Sequence, residues 1–124
     1  VDDVSVNPAD LLTAIDTDAK RLDEATKKLA EAITDLSDRQ ADYDAEKNKA
    51  MLTVLHEYEG KGERLPAEDV RAALVAQQVD SLVYKQWLAA KATVDAGKAW
   101  CRSRETIISA RQTLLKTLTV EARG

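Results

Sequence analysis

The chain carries one histidine, His56, and one cysteine, Cys101, so the chemistry open to it is narrow. A nucleophilic thiol needs a base within reach. If the chain folds back on itself near Gly62, His56 lies about 30 residues, or roughly 45 Å, up the hairpin from Cys101. Cys101 is therefore expected to act as a small core hydrophobe. Metal ligation by His56 would need at least two more converging ligands. The Glu-x-x-His pattern of di-iron bundles is missing, because Thr53 lies three residues before His56. In Leu55-His56-Glu57-Tyr58-Glu59 the histidine suits a helix end. Gly60-Lys61-Gly62 lacks the spacing of a phosphate-binding loop and its Lys-Ser/Thr. The acids of the first half read as a solvated face with no pocket walls around them. These residues predict no catalytic residue, no cofactor and no metal, and hence no enzyme.

One charged constellation remains. Net charge is −4, but residues 1–46 hold 13 acids and 5 bases, and residues 98–124 hold 6 bases and 2 acids. Lys98, Arg102, Arg104, Arg111 and Lys116, with Trp100 available for stacking, form a candidate nucleic-acid contact. The competing expectation is internal. An antiparallel fold lays Asp16, Asp18, Asp23 and Glu24 beside Arg111, Arg104 and Arg102, and the charges neutralise one another.

The elements that must position these residues are helices. Ala supplies 20 of 124 residues and Leu 14, there is no Phe, and only two Pro and four Gly interrupt the chain. That composition excludes a sandwich or barrel. A single Cys excludes a disulfide framework, and no apolar run is long enough to span a membrane. Asn7-Pro8-Ala9-Asp10 reads as a helix start, with Asn7 as N-cap, Pro8 at the first helical position and Asp10 at N3. Val6 and Leu11 would staple it, and Val1 to Val6 read as a short arm. The spacing predicts a helix over 8–58, a loop over 59–65 with Gly60 in the left-handed C-terminal position, and a helix over 66–122 opened by Pro66.

Both helices repeat by seven. In the first, Ile15, Leu22, Leu29, Leu36, Tyr43 and Ala50 form one column. The companion column is taken three residues earlier: Leu12, Ala19, Thr26, Ile33, Gln40, Lys47 and Val54. A register shift is expected after Lys47. In the second helix, Trp87, Val94, Cys101, Ile108 and Leu115 pair with Val83, Ala90, Gly97, Arg104, Arg111 and Leu118. A third column, Val79, Gln86, Thr93, Trp100, Ile107 and Leu114, makes the stripe wider than one partner helix covers. The expected architecture is all-α: a single-domain, long antiparallel, coiled-coil-like hairpin that dimerises into a four-helix bundle. Trp87, Trp100, Ile107 and Leu114 are the expected dimer or partner interface. The small residues between the two Trp, among them Ala89, Ala96 and Gly97, mark a tightly packed waist.

The bend Gly60-Lys61-Gly62, the Ala-rich helix after it, and the stretch from Lys98-Ala99-Trp100-Cys101-Arg102-Ser103-Arg104 to Leu114-Leu115-Lys116 resemble small helical-hairpin proteins encoded in early recombination and replication gene regions of tailed bacteriophages. That resemblance covers about half of the chain. It implies a non-enzymatic accessory protein that acts by binding a protein partner, and it carries no catalytic residue across. Secreted helical hairpins of actinobacteria are similar in size, but their Trp-x-Gly bend is missing. The acidic start Val1-Asp2-Asp3 shows no signal-peptide pattern, so a cytoplasmic, phage-encoded homodimer is expected, with no membrane association and with nucleic-acid binding as the alternative.

Overall fold

A computed structural model describes residues 7–123. The expected Val1–Val6 arm, and Val6 as half of the staple, lie outside them. The described residues form three helices and no strand: α1 over Pro8–Lys61, α2 over Glu68–Gln78 and α3 over Ser81–Arg123. No helix is long and apolar enough to cross a membrane. The start of α1 is as the sequence predicts. The Asn7 side-chain oxygen accepts a hydrogen bond from the Ala9 amide at 2.9 Å, and its carbonyl accepts one from Leu11 at 3.0 Å.

Two boundaries differ from expectation. The first helix runs on through Gly60, and the left-handed residue is Gly62, with φ +66°. The Glu63 amide donates to the Tyr58 carbonyl at 3.0 Å and the Gly62 amide to Glu59 at 3.1 Å. That pair of bonds closes a Schellman cap and fixes Gly62 at the position after the cap. Pro66 lies before α2 rather than at its first turn. Ala67 is the N-cap and has no side-chain hydrogen bond to offer.

The expected single helix over 66–122 is broken at Val79–Asp80. Val79 is extended, with ψ 135°. The Asp80 carboxylate accepts from the Leu82 amide at 2.8 Å and the Val83 amide at 3.3 Å. Asp80 thus satisfies two amides that a helix start leaves open, and the break needs neither Gly nor Pro.

The described residues divide into two compact units, one of residues 7–31 and 95–123, the other of residues 32–94. In the first, α1 and α3 run antiparallel: Asp18 meets Arg104 and Arg111, while Leu29 meets Gly97. A Cβ on Gly97 would lie 3.0 Å from Leu29 Cδ1, so the glycine is what lets the two helices approach there. In the second, Arg39 and Gln40 face Gln86 and Trp87, and α2 packs its Val75 on Ala50 and Val54 of α1.

On α3 the columns containing Val94, Cys101 and Ile108 and containing Ala90, Gly97 and Arg104 are the sheltered ones, as the periodicity predicts. On α1 the column from Ile15 to Ala50 is also sheltered; of its expected companions Gln40 and Val54 are sheltered, but Leu12, Ala19, Thr26, Ile33 and Lys47 are exposed. Leu12 is 55% exposed and Ile33 45% exposed. The companions sheltered throughout are Leu11, Asp18, Ala25, Ala32, Arg39 and Glu46, three residues after each Leu column position rather than three before. Both flanks satisfy a heptad. Hydrophobicity alone favours the flank of Leu12 and Ile33. The fold takes the flank on which Asp18 meets Arg104 and Arg111. After Ala50 the sheltered positions step by four to Val54 and Tyr58, which is the expected register shift.

Gly62→Ala should destabilise the chain by about 1–2 kcal/mol, because alanine resists the left-handed conformation. Gly60→Ala, in a helical position with open space around it, should stabilise by up to about 1 kcal/mol. Urea denaturation of the two variants checks the pair. The opposite order would mean that the helix ends at Gly60.

Candidate interaction surfaces

The sequence-derived interface residues separate. Trp87 lies in the second unit and is half-buried there. Its indole N–H donates to Gln40 Oε1 at 2.5 Å, and its ring stacks on Tyr43 with centroids 4.5 Å apart and planes at 25°. Tyr84 completes the cluster at 6.0 Å from Trp87. The polar interruption at Gln40 is therefore the acceptor a sheltered indole requires. Lys47 and Lys91 lie over the Tyr43 and Trp87 rings at 5.2 and 5.4 Å.

Trp100, Ile107 and Leu114 lie on α3 in the first unit. Trp100 is 38% exposed, Leu114 is 40% exposed and Ile107 is half-buried. They form one continuous column one heptad apart, outside the two sheltered columns.

The candidate nucleic-acid residues also divide. Asp18 is 3% exposed and ion-pairs with both Arg104, at 3.7 Å, and Arg111. One buried carboxylate thus engages two guanidinium groups. Arg104 also lies over the Trp100 ring, 5.0 Å from its centroid. Lys98, Arg102 and Lys116 are exposed. Asp16 and Asp23 do not reach across to α3: they pair within α1 with Lys20 at 3.1 Å and Lys27 at 3.2 Å. Exposed pairs of that kind contribute little to stability.

The sequence reading missed Arg21 and Lys28. Together with Glu24, Ala25 and Trp100 they line a shallow cleft of about 290 Å³ in the first unit. A signal was present, since the two bases stand seven residues apart on α1. A second cleft of about 550 Å³ lies in the second unit at the α2–α3 break, lined by Tyr43, Ala76, Gln77, Val79, Ser81 and Tyr84. The surface thus has concavity that the reading of a slender helix pair left out. The lining of that second cleft contains no charged residue, and its phenols are the only acid–base groups in it.

His56 is exposed, its Nδ1 lying 3.9 Å from Glu59. Cys101 is a free, buried thiol. Among the described residues no group of three or more His, Cys, Asp or Glu is arranged to hold a metal ion.

Asp18→Ala would leave Arg104 and Arg111 facing each other without their acid. It should cost about 2–3 kcal/mol, the partial exposure of both arginines moderating the larger penalty of a fully buried pair. Replacing all three residues with leucine should recover most of that loss. Guanidinium denaturation of the single and triple variants tests this, and an Asp18→Ala chain as stable as the parent would deny the node a structural role.

Comparison with protein families, curated proteins and solved structures gives no match for this chain.

Proposed function

We propose that this chain is a non-enzymatic protein–protein interaction module: a helical hairpin that works as a homodimer, with four helices closing one bundle. The observation that carries this reading is the uncovered column Trp100–Ile107–Leu114 beside an already filled seam. A helix in a two-helix pair shelters one stripe, and a second apolar stripe is a docking face. Trp87 drops out of the interface, because its ring and N–H are engaged by Tyr43, Tyr84 and Gln40. The resemblance of the bend and of residues 98–116 to phage accessory hairpins points to the same kind of protein, a small cytoplasmic binder.

Nucleic-acid binding is the second reading. It is favoured by one specific observation, the cleft in which Arg21 and Lys28 flank the exposed Trp100. Against it, Asp18 engages two of the five bases on which the sequence reading rested.

Light scattering coupled to size-exclusion chromatography should give about twice the monomer mass of 13.6 kDa at tens of micromolar protein. The Trp100→Ala/Ile107→Ala variant should elute as a monomer with its helix content unchanged by circular dichroism. A monomeric parent chain rejects the homodimer. Fluorescence anisotropy with labelled single-stranded DNA separates the two readings: salt-sensitive binding lost in Arg21→Glu/Lys28→Glu would favour the second.

A further inference from the structure

We infer that the first unit carries a second heptad seam on α3, built to pack against the same seam of a second copy, antiparallel, with large side chains over small ones. The inference rests on the homodimer reading and specifies its geometry.

The large positions are Trp100, Ile107 and Leu114. The positions that alternate with them are Ala96, Ser103 and Ala110, all exposed. The combined spacing alternates four and three residues from 96 to 114, which is the a/d pattern of a helix–helix contact. In this seam every a position is large and every d position small. Antiparallel pairing sets a against d of the partner, so each large side chain meets a small one. The register that places Ile107 over Ser103 of a second copy also places Trp100 over its Ala110 and Leu114 over its Ala96. Parallel pairing would set large on large and leave gaps between the small ones.

On one side the seam is bordered by Arg104 and Arg111, whose guanidinium groups are already paired with Asp18, and Arg21, Glu24 and Lys28 of α1 stand around Trp100. Thr106 and Thr113 flank the seam, and their hydroxyls donate back to the carbonyls of Arg102 and Ser109, each at 3.0 Å. With those hydroxyls already bonded, burying this face strands no threonine donor.

Area supports an occupant as wide as this unit. The 22 residues from 96 to 117 span about 33 Å, and two helices side by side are about 20 Å wide. The footprint is then about 650 Å² per copy before side-chain relief is counted, close to the ~800 Å² per partner of a standard interface. A lone helix would cover about half of it.

The test is a knob-and-hole exchange on the full chain, read by light scattering and sedimentation. Ala110→Trp fills the hole expected under Trp100. Because Ala110 is exposed, the fold tolerates the change, and circular dichroism verifies it. Its dimer dissociation constant should rise about tenfold or more. The exchange Trp100→Ala/Ala110→Trp moves the knob to the other side of the same layer and should restore dimerisation. Ala19→Trp, on an exposed column of α1, should leave it unchanged. A parent chain that is dimeric and stays so with Ala110→Trp, or an exchange that fails to rescue, overturns this geometry and leaves the homodimer standing. A monomeric parent chain overturns both.

Discussion

Asp18 is the constraint on which the first unit depends. A carboxylate with 3% exposure has given up nearly all its water, and that loss is offset only by charges placed to meet it. Arg104 and Arg111 stand one heptad apart on α3, and Asp18 lies between them. Sliding α1 along α3 by one heptad would leave the acid with one arginine and put Gly97 or Leu118 in place of the other. The same displacement would take Gly97 away from Leu29, whose side chain fills the space a Cβ would occupy. Close approach and charge pairing therefore select one register together. Neither would do so alone, since the other sheltered residues, among them Leu22, Ala25, Cys101 and Ile108, are small or aliphatic and pack acceptably in several registers.

The second unit is fixed by other means. Its seam is closed by Tyr43, Tyr84 and Trp87, and two polar residues of α1 find partners on α3: Gln40 accepts from the Trp87 indole and Arg39 donates to Gln86 at 3.0 Å. Beyond them, α2 caps the core of Ala50, Val54 and Val75. That packing explains the break after Gln78. A helix continuing straight from α3 would have to keep Val75 in phase with the heptads of α3. By stopping at Val79 and restarting at Asp80, the chain is released from that phase, and α2 turns Val75 onto Ala50 and Val54. The cleft between Tyr43, Val79 and Tyr84 is the space left by the turn.

What was legible in the sequence follows from this difference. The periodicity of α3 could be read directly, because both of its sheltered columns are mainly apolar and the polar members, Arg104 and Arg111, interrupt an evident stripe. The Leu column of α1 was legible for the same reason. Its companion was not. Leu12, Ile33 and Val54 on one flank outweigh Asp18, Arg39 and Glu46 on the other in any hydrophobic count. The charged flank is sheltered where α3 supplies a matching group, Arg104 and Arg111 for Asp18 and Gln86 for Arg39. Pair information of that kind is not in a single helix. The break at Asp80 was hidden because an aspartate inside a helical pattern reads as a surface residue until its carboxylate is seen capping two amides. Gly60 and Gly62 are equivalent in composition, and only the hydrogen bonds from Glu63 and Gly62 tell which ends the helix. Of the two tryptophans, periodicity placed Trp87 in a seam column and Trp100 beside one. It could not show that Gln40 and Tyr43 occupy Trp87.

Arg104 connects the inner seam to the outer one. Its guanidinium pairs with Asp18 on one side and lies 5.0 Å from the Trp100 ring centroid on the other. A cation over an exposed ring contributes about 0.5–1 kcal/mol, a small amount for stability. Its effect on association is larger in kind. A tryptophan side chain that must be ordered on binding loses rotamer freedom at that moment, and one already held against a fixed guanidinium has lost it in advance. Because Asp18 fixes Arg104, and Arg104 holds Trp100, the buried carboxylate that sets the register of the helix pair also presets the side chain at the edge of the uncovered face. The charge asymmetry of the sequence, acidic at one end and basic at the other, meets across the pair at Asp18 with Arg104 and Arg111. It orders the inside of the pair and sets Arg104 between the buried acid and the Trp100 ring.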